Sequence, residues 1–174
     1  MEGPMTDEQK LIESMEQDKE IAECYLLGYD KCLAEYNAKK REELDTYQPP
    51  DENVGGGRSN VPGHPVEAAA VRSAEYDAVH PAYAWLKAVE YTHRTLGERK
   101  NMFIRARCEA EQAPHITAGR PAWVERTAQI YFDLARKRFI ERPWDTPPSA
   151  RTVKRWWADI IRRTVEIHLR IEKK

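Results

Sequence analysis

The run Pro147-Pro148-Ser149-Ala150-Arg151-Thr152-Val153-Lys154-Arg155-Trp156-Trp157, continued to Ile171, decides how the chain is read. Two prolines stop any helix before it, and Ser149 can cap the free N–H groups of the helix that follows. Beyond the cap, Val153, Trp156, Trp157, Ile160, Ile161, Thr164, Ile167, His168 and Ile171 recur at helical spacing. At about 100° per residue they share one side of a helix, and Arg151, Lys154, Arg155 and Arg162 fall almost opposite. The spacing predicts one amphipathic helix, apolar on the side that packs and basic on the side that does not. An adjacent pair of tryptophans suits stacking on unpaired bases. Within an apolar stripe, however, Trp156 and Trp157 read as core side chains that fix this helix to its neighbours.

The same punctuation runs upstream. From Thr6 to Tyr47 there is no proline and no strand-like alternation, while Leu11, Met15, Ala22, Tyr25, Leu26, Tyr29, Leu33 and Tyr36 make a helical stripe. Thr6 is its expected cap, and Gly28 is placed to bend or break it. Gln48 to Pro65 holds Pro49-Pro50, Gly55-Gly56-Gly57 and Pro62-Gly63-His64-Pro65, too much glycine and proline for a helix or a central strand. Helices are expected at Pro65–Val79, Ala82–Leu96, Glu98–Glu111 and Ala122–Arg142, with Pro114 to Pro121 a loop and Leu96-Gly97 a stop signal. The expected fold is all-α. It divides into an acidic N-terminal helical arm at 1–47, a Gly/Pro linker at 48–65, and a helical domain at 66–174.

Charge separates these parts further. Residues 1–52 carry 6 Lys and Arg against 15 Asp and Glu, whereas residues 118–174 carry 14 against 7. A basic third beside an acidic third is the layout expected when one end meets a polyanion. With 33% charged residues and no run near the roughly 20 apolar residues of a membrane span, the chain is expected to be cytoplasmic, with no membrane partner. The acidic opening Met1 to Glu8 lacks the apolar region of a secretory leader. Cys24, Cys32 and Cys108 are three in number and far apart, which suits reduced thiols.

Two segments resemble a family. One is Asp51-Glu52-Asn53-Val54-Gly55-Gly56-Gly57-Arg58-Ser59-Asn60-Val61-Pro62, leading into Val66-Glu67-Ala68-Ala69-Ala70. The other runs from Trp85-Leu86-Lys87-Ala88-Val89-Glu90, through Gly97-Glu98-Arg99-Lys100, to Ser149-Ala150-Arg151-Thr152-Val153-Lys154-Arg155. In this order they resemble the phage-encoded RinA-type transcriptional activators, which are themselves similar to ArpU-type regulators. The resemblance implies a long N-terminal helix, a Gly-Gly linker and, at 66–174, a DNA-binding domain of helix-turn-helix type similar to the promoter-reading part of sigma factors. It also implies binding beside a promoter and contact with RNA polymerase, as an activator of late genes. Here the region Glu109–Pro148 is longer than in such regulators, and Phe139–Pro148 is not a tight turn.

Chemistry assigns the roles on the last helix. Arginine can grip guanine bidentately, so Arg151 and Arg155, in the first turns, are placed nearest base edges of double-stranded DNA. Lys154, Arg162 and Arg163 are placed on phosphates, and Ser149 and Thr152 can hydrogen-bond backbone oxygens at a helix end that itself favours anions. Arg120 in Gly119-Arg120-Pro121, and Arg138 at the end of Arg136-Lys137-Arg138, are further phosphate candidates. The competing reading is a basic face that merely meets water.

Other chemistries find less support. Asp77-x-x-His80 and Glu90-x-x-His93 put a carboxylate and an imidazole one turn apart, as di-iron bundles do, but lack the further inward glutamates, so no metal is expected. Gly55-Gly56-Gly57-Arg58-Ser59 lacks the Gly-Lys-Ser/Thr of a phosphate loop. No nucleophile elbow or cysteine signature is present, so neither an enzyme nor a cofactor is expected. The sequence expectation is a sequence-specific DNA-binding regulator that forms a homo-oligomer through its N-terminal arm. Two alternatives stand beside it: a phage small terminase subunit, and an α-helical interaction protein that never meets DNA.

Overall fold

The computed structural model describes residues 7–45, 65–112, 122–139 and 146–173. These residues form helices α1 (Asp7–Leu27), α2 (Tyr29–Asp45), α3 (Pro65–Val79), α4 (Pro81–Thr95), α5 (Glu98–Gln112), α6 (Ala122–Arg138) and α7 (Ala150–Glu172), with no strand among them. The fold is all-α, as expected. Gly28 separates α1 from α2, and Pro65 and Pro81 each open a helix at the first turn, where a missing N–H costs nothing. The α4–α5 turn at Gly97 is held by Asn101, whose amide donates to the carbonyls of His93 and Leu96 at 2.9 and 3.0 Å. Helix α6 stops at Arg138, short of the expected Arg142. The Thr6 cap, the linker up to His64, the 114–121 loop with Arg120, and Pro143-Trp144 lie outside the described residues.

The chain divides into two compact units, one of residues 1–29 with 84–174 and a smaller one of residues 30–83. This differs from an N-terminal arm ending at residue 47. Ala22 and Leu26 are buried in the same core as Trp85, Val89, Phe103, Ile104, Val124, Tyr131, Val153, Trp157 and Ile160. The second half of α1 therefore contributes its stripe to the larger unit, because a lone helix with a narrow apolar seam is stabilised mainly by packing.

In the larger unit, α5 and α6 form an antiparallel pair closed at one end by Arg138 Nε donating to Glu98 Oε1 at 2.6 Å. Phe103, Tyr131 and Trp156, from α5, α6 and α7, meet edge to face with centroids 5.4 to 5.8 Å apart. Such aromatic pairs add about 0.5–1.5 kcal/mol each beyond the area they bury. Helix α4 crosses α7 closely where the hydroxyls of Thr92 and Thr164 share a 3.1 Å hydrogen bond. Both hydroxyls also reach back to their own helices, to the carbonyls of Ala88 and Ile160, so no polar group is stranded at this contact.

The smaller unit is held by an aromatic cluster on α2, α3 and the start of α4. Tyr36 packs against Tyr76, His80 and Tyr83 with centroids 5.2 to 6.1 Å apart. Asp77 accepts hydrogen bonds from Tyr36 Oη and Lys40 Nζ. Burial first, then the Asp77 carboxylate, pushes the Tyr36 phenol far above its ordinary range, so it remains the donor at every accessible pH.

His168 on α7 is buried and stacks on Trp85 of α4, with ring centroids 3.5 Å apart and planes within 10°. Burial lowers its pKa from the ordinary 6.5, opposed by the carboxylates of Glu172 and Asp18 and the Ala84 carbonyl. The imidazole is therefore neutral at pH 7, and its 3.2 Å contact with Glu172 is a hydrogen bond rather than an ion pair. Because the folded pKa lies below the unfolded one, the unfolded chain takes up the proton first. Stability is complete above about pH 6.5 and falls as the pH drops below it. Thermal melts between about pH 7.5 and 5.5 should show the midpoint falling with acid, and His168→Phe should flatten that slope. An equal slope in the variant would remove His168 from the account.

Candidate nucleic-acid interface

Ser149 caps α7 as expected, its hydroxyl oxygen accepting from the Thr152 N–H at 3.2 Å and sharing a 2.9 Å bond with the Thr152 hydroxyl. Both hydroxyls are therefore engaged with each other and with the helix end. Val153, Trp157, Ile160, Ile161, Thr164 and His168 are buried, and Trp156 is half-buried on the flank of the same stripe. The core role of the two tryptophans is what the structure shows.

The opposite side of α7 is open. Arg151, Lys154, Arg155, Arg162 and Arg163 are all exposed. Arg151, Arg155 and Arg162 fall within an arc of about 40° and are spaced about 6 and 10 Å along the axis. Lys154 stands at one edge of this row and Arg163 at the other, where its Nε reaches the Thr95 hydroxyl at 3.3 Å. Arg162 donates to Asp159 at 2.8 Å, and Glu166 is exposed on the same side, so the second half of the row is partly neutralised. Arg138 is exposed on α6 but pairs with Glu98 of α5, outside the α7 row.

The first two turns of α7 differ from the rest. They hold Arg151, Lys154 and Arg155, no acidic residue stands in the first turn, and among the described residues none of the three has an ion-pair partner. Cations at a helix N-terminus oppose its dipole, each at about 0.3–1 kcal/mol when exposed. An anion lying across these turns would relieve both that opposition and the mutual repulsion of the three charges.

No protein family, curated protein or solved structure matches this chain.

Beneath the row lies a cluster that sequence reasoning did not find. Arg107 of α5 is 4% exposed at its side chain and lies over the Trp123 ring at 4.2 Å and the Trp157 ring at 5.4 Å. Its guanidinium meets Glu111 at 2.5 Å and Glu23 of α1 at 3.5 Å, and Glu23 also accepts from the Trp157 indole N–H at 2.7 Å. One buried cation thus ties α1, α5, α6 and α7 together and fixes the rotation of α7, hence the direction in which its arginines point. In sequence, Arg107 sits between Ala106 and Cys108 with nothing to distinguish it from a solvated arginine.

The connection between α6 and α7 is also informative. Helix α6 ends at Arg138 and α7 begins at Ala150, a far longer link than the roughly three to four residues of a helix-turn-helix. Presentation of α7 therefore rests on the Arg107 cluster and the α4 crossing rather than on a tight turn. The carboxylate–imidazole pairs are otherwise engaged: Glu90 with Lys87 and Tyr29, His93 with Asn101, and Asp77 with Tyr36 and Lys40. Among the described residues no group of three His, Cys, Asp or Glu is placed to hold a metal ion, and no helix is long and apolar enough to cross a membrane.

Proposed function

We propose that the protein is a sequence-specific DNA-binding transcriptional regulator of phage type, acting in the cytoplasm of a bacterial host as an activator of late genes. The observation that carries this reading is the opening of α7, where three exposed cations without ion-pair partners among the described residues stand at the positive end of a helix dipole. In this reading Arg151 and Arg155 meet base edges in the major groove, and Lys154, Arg162 and Arg163 meet phosphates. The acidic N-terminal third cannot favour DNA, so it serves contact with RNA polymerase or with a second copy of the chain. The exposed side chains of Leu11, Ile12 and Met15 on α1 supply an apolar seam for that association.

Titration of labelled duplex fragments by fluorescence anisotropy tests the reading. Selective binding is expected, with a logarithmic salt slope of about −0.9 for each phosphate neutralised. Absence of binding at low salt would leave an α-helical interaction protein instead. The exposed α1 seam also favours a second reading, a phage small terminase subunit that reads packaging sites as a ring. A count of subunits separates the two, since a closed ring of many chains belongs to packaging.

A further inference from the structure

Leu11, Ile12 and Met15 are 63, 52 and 52% exposed, although they continue the stripe whose later members Ala22 and Leu26 are fully buried. Helix geometry gives the reason. Helices α1 and α7 run antiparallel, with Glu23 bonded to Trp157 and Asp18 within electrostatic reach of His168. From Asp18 back to Leu11 the helix advances about 10 Å, whereas α7 has only about 6 Å left after His168 before it ends at Glu172. The first turns of α1 outrun the helix that covers the rest.

Charge indicates what covers them. Helix α1 carries seven acidic and two basic residues, so pairing this segment with its own copy sets like charges together. Helix α7 carries six basic and three acidic residues. Its outer side also exposes apolar surface at Ala158 and at Leu169, which is 40% exposed, beside Arg151, Arg155 and Arg162. We infer that the chain associates head to tail, the first turns of α1 from one copy lying along the basic outer face of α7 of the next.

This deepens the homo-oligomer part of the proposed function and rests on it. Such an interface joins two different surfaces, so each addition leaves one α1 and one α7 free, and assembly ends in a ring or an open chain. It also uses the face assigned to DNA, so duplex and neighbouring chain exclude each other there.

Two variants and their mixture test the arrangement by sedimentation, without DNA. Leu11→Ser with Ile12→Ser and Met15→Ser alters only exposed positions, and Arg155→Glu with Arg162→Glu reverses the α7 face. The parent chain should grow in mass with concentration at about 0.05 M salt and shrink toward a single chain at about 0.5 M. Each variant alone should stay a single chain, and an equal mixture should form a one-to-one pair, because each supplies the surface the other lacks. A parent that stays a single chain at low salt overturns association altogether and leaves the DNA-binding reading intact. If the arginine variant assembles like the parent, α1 pairs with itself and the head-to-tail arrangement is wrong.

Discussion

Glu23→Ala combined with Glu111→Ala is expected to lower the stability of the fold by about 3–5 kcal/mol, a large share of what holds a domain together. Both carboxylates compensate Arg107, whose side chain is 4% exposed and wedged against the faces of Trp123 and Trp157. Removing them leaves a cation buried without a counter-charge and takes the acceptor from the Trp157 indole N–H. The loss is not expected from the two surface-facing carboxylates as such, and a third change tests this. Adding Arg107→Met to the double variant removes the stranded charge and keeps an unbranched apolar side chain between the rings, so most of the loss should return. Urea unfolding of the three chains measures this. A double variant within about 1 kcal/mol of the parent would mean that Arg107 is satisfied by some other route.

Arg151→Ala combined with Arg155→Ala should weaken selective duplex binding by about 2–6 kcal/mol, or roughly 30-fold to 10⁴-fold, if both arginines grip base edges. The same change should not harm the fold. Alanine is the better helix former, and two cations leave the positive end of the α7 dipole, so the melting temperature should hold or rise slightly. Binding that falls while stability does not is the mark of a site built at some cost to the helix. If selective binding survives both substitutions, the reading face lies elsewhere. A loss that is uniform across sequences would place both arginines on phosphates.

The sequence carried the helices themselves. Proline and glycine punctuate the chain where the structure turns, and the α7 stripe from Val153 to His168 is buried as its spacing requires. Three other features had no sequence signal, each for a physical reason. Leu11 and Ala22 belong to one stripe, and periodicity cannot say where the covering helix ends, so the exposed and buried halves of α1 look alike. Arg107 is charged and lies on a helix of mixed character, and only the Trp123 and Trp157 rings and the Glu23 carboxylate, all from other helices, make it a core residue. The division of the chain depends on Ala22 and Leu26 joining Trp85 and Phe103 in one core, across separations of 59 residues or more that local composition cannot express. For the candidate site, the spacing on α7 made the exposure of its basic row legible. It did not foresee that Arg138 and Arg162 are already paired with Glu98 and Asp159, or that Ser149 and Thr152 are occupied with each other.

The break at Gly28 has an optical consequence. All five tryptophans of the chain lie outside residues 30–83, and the aromatic cluster of that smaller unit is built from tyrosine and histidine alone. Indole emission therefore reports on the larger unit only, while far-ultraviolet circular dichroism counts helical amides in both. Unfolding of the smaller unit by itself changes the amide signal and leaves the indoles of the larger unit in place, so the molecule carries a built-in two-colour record of its own cooperativity.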